Sequence, residues 1–192
     1  MSSQLLSRKK VFSKLEEAML EHTYIRVVRA YEADAASGFV VAIGEDWFLL
    51  RSMNRTLDPD GWTAMRIADV ASVKKDYWKS AQEFEPALMK AAGAWPPAAP
   101  VPCDLSSFVS LVATAQQASP LVAVHKEHKH PTYRWFGRVT ALDDEHVTIY
   151  QASVSARWTN TKVFKNRSVT RIEFGDLYGR NLARIMEPMP TD

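Results

Sequence analysis

The stretch GFVVAIGEDWFLL, residues 38–50, returns in outline as GRVTALDDEHVTI, residues 137–149. Each opens on glycine, alternates apolar with small or polar residues, breaks at an acidic turn and resumes the alternation. Advancing the chain by 99 residues sets Gly38 on Gly137, Val40 on Val139, Ala42 on Ala141 and Ile43 on Leu142. Phe48 then meets Val147, and Leu50 meets Ile149. Further on, without a gap, Met65 meets Phe164, Val70 meets Val169 and Val73 meets Ile172. Only four of these 36 positions are identical, so the alternation carries the argument rather than the identity. A period of two marks the inner face of a half-buried strand. The pattern predicts two copies of one β unit, with Val40, Ile43, Phe48 and Leu50 lining one core. Val139, Leu142, Val147 and Ile149 are expected to line the other.

Upstream, with short gaps, YIRVVRA (24–30) answers LVAVHKE (121–127), each a run suited to a strand. Before those, residues 7–22 put Val11, Leu15, Ala18 and Met19 on one helical face, with Phe12 beside it. Residues 104–118 do the same with Phe108, Leu111, Val112 and Ala115, and Asp104 stands where an N-cap belongs. Between the copies, the four prolines of AWPPAAPVP (94–102) stop helix and sheet alike and predict a linker. Trp95 is expected to pin that linker against a barrel. The predicted fold is mainly β with helices, two tandem helix-plus-five-strand small barrels. Residues 1–93 form the first, 94–102 the linker and 103–192 the second.

A chain of 192 residues has room for two domains of roughly 90 residues each. Its 46% hydrophobic and 24% charged residues fit a globular protein and not a disordered one. The net charge is +2, with 13 basic against 14 acidic residues up to residue 120 and 11 against 8 beyond it. Bulk charge therefore leaves no strong footprint of a nucleic-acid binder. A single cysteine, Cys103, excludes an intrachain disulfide and a multi-cysteine zinc site. The start MSSQLLSRKKVFSKLEE has no apolar run of signal-peptide length, and no stretch reaches the ~18 apolar residues of a membrane span. A cytoplasmic protein without membrane contact is expected.

The helix, the strand pair pivoting on glycine and the closing strand pair resemble the Sm-like fold. The residues that carry the resemblance are GFVVAIGEDWFLLRSM and MRIADVASV of the first copy, similar to the two short motifs of that family. Met65, Arg66, Val70 and Val73 follow the outline of the second motif, as do Phe164, Lys165, Val169 and Ile172 in the second copy. The resemblance implies small SH3-like barrels. In that family an Asp and an Asn of the first motif, and a glycine after the motif Arg, belong to the site that cups a nucleobase. Here the aligned positions are Gly44 and Phe48, or Asp143 and Val147, and the glycine is replaced by Ile67 or Asn166. The resemblance thus implies the fold without the usual base pocket. The ending SVTRIEFGDLY is also similar to that of bacterial two-barrel proteins of unassigned activity.

HKEHKHP (125–131) holds the candidate metal ligands His125, His128 and His130, with Glu127 beside them. In a strand His128 and His130 share a face while His125 points away. Zinc needs three or four ligands, and the spacing matches no familiar set. A solvated hairpin turned by Pro131 is the expected reading, with no metal or other cofactor. Asp104 next to Cys103 disfavours the thiolate, and no G-x-S-x-G turn presents a serine. Glu45-Asp46 and Asp143-Asp144-Glu145 fall at equivalent points and predict tight turns rather than a catalytic pair. Gly175 and Gly179 lack the pattern of a phosphate loop. The chain is therefore not expected to be an enzyme.

Six tryptophans leave one more chemistry, since small barrels stack bases on exposed aromatics backed by cations. YRWFGR (133–138) and RWTNTKVFKNR (157–167) have that interleaving. They supply Arg134, Trp135, Arg157 and Trp158 as candidate nucleic-acid contacts, joined by Arg66 and Lys165. The competing reading packs the rings into undersized cores or between the barrels. Weighing these, the sequence predicts a non-enzymatic binding protein with a protein partner, an inhibitor or immunity-like role among the options. The alternative is RNA or single-stranded nucleic-acid binding. A monomer or dimer is expected.

Overall fold

The computed structural model describes residues 7–31, 35–54, 58–75, 79–93, 95 and 102–190. The first half runs α1 (Arg8–Leu20), β1 (Tyr24–Arg29), β2 (Ala36–Ile43), β3 (Trp47–Met53), β4 (Pro59–Arg66), β5 (Val70–Lys75) and α2 (Lys79–Ala91). The second runs α3 (Phe108–Ala118), β6 (Val122–His125), β7 (Arg134–Leu142), β8 (His146–Ala152), β9 (Trp158–Lys165), β10 (Arg171–Phe174) and α4 (Leu177–Ile185). The predicted leading helices and strands are all present. Each half also ends in a helix the sequence reading did not foresee. None of these helices is long and apolar enough to cross a membrane. Most of 94–102, the predicted linker, lies outside the described residues.

The offset of 99 holds rung by rung. Val40 pairs with Leu50 and Ile43 with Phe48, as Val139 pairs with Ile149 and Leu142 with Val147. An irregularity in register follows Val40 and recurs after Val139. The turns repeat too: Gly44 N donates to Trp47 O, and Asp143 N to His146 O. A short 3-10 turn joins β4 to β5 at Ile67–Asp69 and β9 to β10 at Asn166–Ser168. Gly38 and Gly137 share a reason for being glycine. A Cβ would lie 2.3 Å from Arg51 O at the first and 2.5 Å from Tyr150 O at the second, closer than atoms approach.

The ten strands form one antiparallel sheet, ordered β5-β1-β2-β3-β4-β10-β6-β7-β8-β9. The same order therefore appears twice, each half placing its last strand beside its first. Strand pairing does not close the sheet, so two closed barrels are not what the pairing forms. The edge of β4 that could fold back on its own half is taken by β10, which sets Ile172 opposite Ala64 and Glu173 opposite Thr63.

The predicted core positions are inside. In the first half Val40, Phe48 and Leu50 are fully buried with Val11, Leu15 and Ala18 of α1, and Ile43 packs against them. In the second, Val147 and Ile149 are buried with Leu111, Val112 and Ala115 of α3, while Val139 and Leu142 are half-buried. This second core continues without a break into Val41, Trp47, Leu49 and Ala64 of the first half. The expected N-cap of α3 is corrected: Ser107 Oγ accepts from Ser110 N, and Asp104 instead accepts from the N–H and hydroxyl of Ser106. The late helices cover the opposite face, Met89 of α2 over Tyr24 and Phe39, and Leu182 of α4 over Leu121, Ala123 and Phe136. Trp95 sits edge-on to Phe39 and His22, so it packs as expected.

Candidate binding surfaces

Two cavities open at the repeated turns. One, of about 380 Å³, is lined by Asp46, Trp47, Arg66, Phe108, Asn166 and Arg167 among others. The other, of about 360 Å³, is lined by Asp144, Glu145, His146, Lys165 and Arg167. Advancing Asp46, Trp47 and Arg66 by 99 residues gives Glu145, His146 and Lys165, so the cavities are counterparts. Arg167 borders both. The first is the more constrained, because the Arg66 guanidinium lies 5.4 Å from the Trp47 ring centroid and donates to the carbonyls of Arg167 and Asn166. Trp47 in turn lies 5.5 Å from the Phe108 ring. Carboxylates rim both mouths, which opposes a phosphate as much as the arginines attract one.

A second cluster is buried at the seam between the halves. Glu127 is 1% exposed and would be prohibitively costly alone as a charge. It is met by Arg29 at 3.0 Å and Arg171 at 3.2 Å on one oxygen. On the other, Tyr31 and Thr170 donate from 3.2 and 3.0 Å. Burial, with the nearby charges of Asp69 and Glu127, pushes the Tyr31 phenol up, so it remains a donor. His125 lies between Arg171 and Glu173. Arg171 Nη2 is 3.2 Å from His125 Nδ1 and has no lone pair to offer, so Nδ1 accepts and Nε2–H donates to Glu173 at 3.0 Å. Burial lowers the His125 pKa, in keeping with that neutral ring. Burial opposes charge on Glu173 as well, yet His125, Arg171 and Arg134 hold it well below the usual carboxylate range. On the rim, His128 meets Asp69 at 3.3 Å, and its ring lies 4.2 Å from that of Tyr31, tilted by 59°.

The hairpin expected at 125–131 is present, β6 pairing with β7 across it, and His128, Lys129 and His130 are exposed. The expected solvation is corrected at His125 and Glu127, which are among the most buried polar groups. The Glu127 partners Arg29 and Tyr31 come from β1 and the residues just after it, some 100 positions upstream, and the His125 partners Arg171 and Glu173 from β10, more than 40 positions downstream. The three histidines do not converge: His125 belongs to Glu173, His128 to Asp69, and His130 packs edge-on to Trp135. Among the described residues no group of three His, Cys, Asp or Glu side chains could hold a metal ion. Cys103 has its thiol pushed up to about 12 by burial and by Asp104, which leaves no thiolate at neutral pH.

The six candidate nucleic-acid residues fall in three places. Arg66 and Lys165 border the twin cavities. Arg134 lies against Phe136, Tyr178 and Glu173, while Trp135 is buried beneath Lys162. Arg157 and Trp158 line a groove of about 660 Å³ with Ile185, Pro188 and Pro190, and Trp158 Nε1 donates to Glu187 O. Phe48 and Val147, aligned with a base-binding position, are fully buried, and Gly44 is pressed against Leu105.

Among the described residues, exposed large apolar side chains are concentrated in the second half. β5 and β9 end the sheet, and β9 is exposed at Thr159, Asn160, Thr161, Val163 and Lys165. Of the eight large apolar side chains exposed among the described residues, six belong here: Tyr133, Val154, Val163, Leu177, Tyr178 and Ile185. Comparison with known protein families, curated proteins and solved structures finds no match.

Proposed function

We infer that this chain is a non-enzymatic binding protein whose partner is another protein and whose recognition surface lies on the second half. One observation carries the reading: among the described residues, β9 is a terminal strand with no strand paired to its outer edge, on the half that also holds six of the eight exposed large apolar side chains. Exposed apolar groups beside an open strand edge are what a docking protein covers. The first half has spent its equivalent edge on β10 and acts as the platform. The reading includes the architecture, two Sm-like units joined edge to edge, supported by the repeated strand order and the offset of 99. Purification from cells with and without nuclease tests it. A stoichiometric protein that stays after nuclease treatment and high salt is expected.

The twin cavities favour a second reading, single-stranded nucleic acid. They repeat at the turn-and-cation positions that align with the base site of the Sm-like family, and Phe108 and Arg66 line the first of them over the buried Trp47. RNA that co-purifies at low salt and leaves at high salt, as released counterions require, would select it. The carboxylate rims and the near-neutral charge place it second.

A further inference from the structure

We propose that the outer edge of β9 receives an extended protein strand in which an aliphatic residue is followed by an acidic one. The proposal rests on the protein-partner reading and deepens it. Its template lies inside the molecule. At the seam β10 runs antiparallel to β4, with Arg171 opposite Met65, Ile172 opposite Ala64, Glu173 opposite Thr63 and Phe174 opposite Trp62. Advancing the β4 side by 99 residues gives Phe164, Val163, Lys162 and Thr161 on β9. Val163 is 59% exposed, whereas Ala64 at the same rung is 0% exposed under its partner strand. Lys162 is held in a defined place, its Nζ 4.5 Å from the centroid of the Trp135 ring. An aliphatic side chain opposite Val163 covers it, and a carboxylate opposite Lys162 pairs with the ammonium. The order is that of Ile172 and Glu173 in the internal joint.

A second copy of this chain is refused by the same chemistry. The sheet's other end, β5, carries Ser72, Val73, Lys74 and Lys75 at the positions of β10. Val73 would suit Val163, but Lys74 would face Lys162, and like charges directly opposite are destabilising. Lys14 Nζ also donates to Val73 O, and Lys75 is tied to Glu17 and Glu21. Lysines on both edges thus disfavour pairing of β9 with β5 of a second copy, while Lys162 selects a foreign acidic strand.

The test uses the full chain and two synthetic peptides. One has the sequence of residues 169–175, VTRIEFG, and the other carries lysine in place of its glutamate. Binding is followed by tryptophan fluorescence and by hydrogen exchange. The acidic peptide should bind saturably and protect residues 158–165, and the lysine peptide should bind roughly tenfold more weakly. Lys162→Glu should reverse the order of the two. No binding up to about 1 mM, equal affinities, or protection at 59–66 in place of 158–165 overturns the proposal. A partner captured from cells that binds Lys162→Glu unchanged would leave the protein reading standing and sink this edge. A partner removed by nuclease would sink both.

Discussion

Leu49 and Thr148 occupy the same rung of the two halves and have opposite surroundings. Leu49 lies between Ala42 and Ala64 and is fully buried against the second half. Thr148 lies between Ala141 and Val163, both exposed. The change extends over the face: Val41, Trp47 and Trp62 become Thr140, His146 and Thr161. Meanwhile the inward positions stay apolar in both halves, from Phe48 and Leu50 to Val147 and Ile149. The inner face is needed by each half for its own core. The outer face carries Val41, Trp47, Leu49 and Trp62 where the second half covers it, and the uncovered counterpart has lost all four, keeping Val163 as an exposed apolar side chain.

Substituting the shared rung is the sharpest way to break this comparison. Leu49→Asp buries a carboxylate with no partner and empties a packed site, a loss of about 5 kcal/mol or more. That is enough to unfold a chain with a usual margin of about 5–15 kcal/mol. Thr148→Asp should shift stability by about 1 kcal/mol or less, since its surroundings are open to water. Urea melts of the two variants decide the matter, and equal losses would mean that the second half's outer face is also covered. The seam network should rank next. Glu127→Ala leaves Arg29 and Arg171 facing each other in a buried site, an expected loss of about 3–5 kcal/mol. A loss under about 1 kcal/mol in the same melts would show that the ion pairs do not tie the halves together.

The sequence reading reached the inner faces because period-two alternation is a local signal. Val40, Phe48 and Leu50 announce their side of the strand without reference to any other segment. It missed the joint, where β10 meets β4 across about 100 residues and no local pattern records the pairing. It misjudged His125 and Glu127 of HKEHKHP for the same reason, because the partners that satisfy them, Arg29 and Tyr31 upstream and Arg171 and Glu173 downstream, are distant in sequence. α2 and the nine-residue α4 were passed over although their apolar residues keep a helical period at least as clear as that of α1 and α3; Pro86 inside α2 and the shortness of α4 argued against a helix at each place. Another signal was visible and unused. The positions where the copies disagree, Trp47 with His146 and Leu49 with Thr148, mark the joint face more sharply than those where they agree.

Acid should weaken the seam, through buried groups that contribute with opposite sign. The folded pKa of His125 is lowered from its ordinary value near 6.5 by burial, so the unfolded chain takes up the proton first. Stability is lost as pH falls below about 6.5. Glu173 is also lowered, against burial, by His125, Arg171 and Arg134, so its contribution is present above about 4.5 and lost below it. Asp69 in the first half is raised by burial despite His128 and Arg66, and its protonation favours the folded state as pH falls. Asp176 in the second half is raised by burial in the same sense as Asp69. His125 has the highest ordinary pKa of the four and titrates first, so the urea midpoint should drop between about pH 7 and pH 5. A flat profile would show that the burial of His125 is not coupled to folding.

The smallest effects belong to the turns, and they sharpen the comparison from the other side. Asp143 Oδ1 accepts from Glu145 N at 2.8 Å and His146 N at 2.7 Å, and Gly44 at the equivalent point has no side chain to do so. Asp143→Ala should therefore destabilise the second half measurably. Glu45 and Glu145 differ from it, with side chains 85% and 84% exposed. What each contributes is its backbone carbonyl. Arg8 Nη2 donates to Glu45 O at 2.7 Å, and Asn166 N donates to Glu145 O at 2.8 Å. Glutamine keeps that carbonyl and the turn, and it loses only a water-screened charge. Glu45→Gln and Glu145→Gln should each change stability by about 0.5 kcal/mol or less. Denaturant midpoints would settle this: a loss above about 1 kcal/mol in either variant would mean that the acidic pair holds more than a turn.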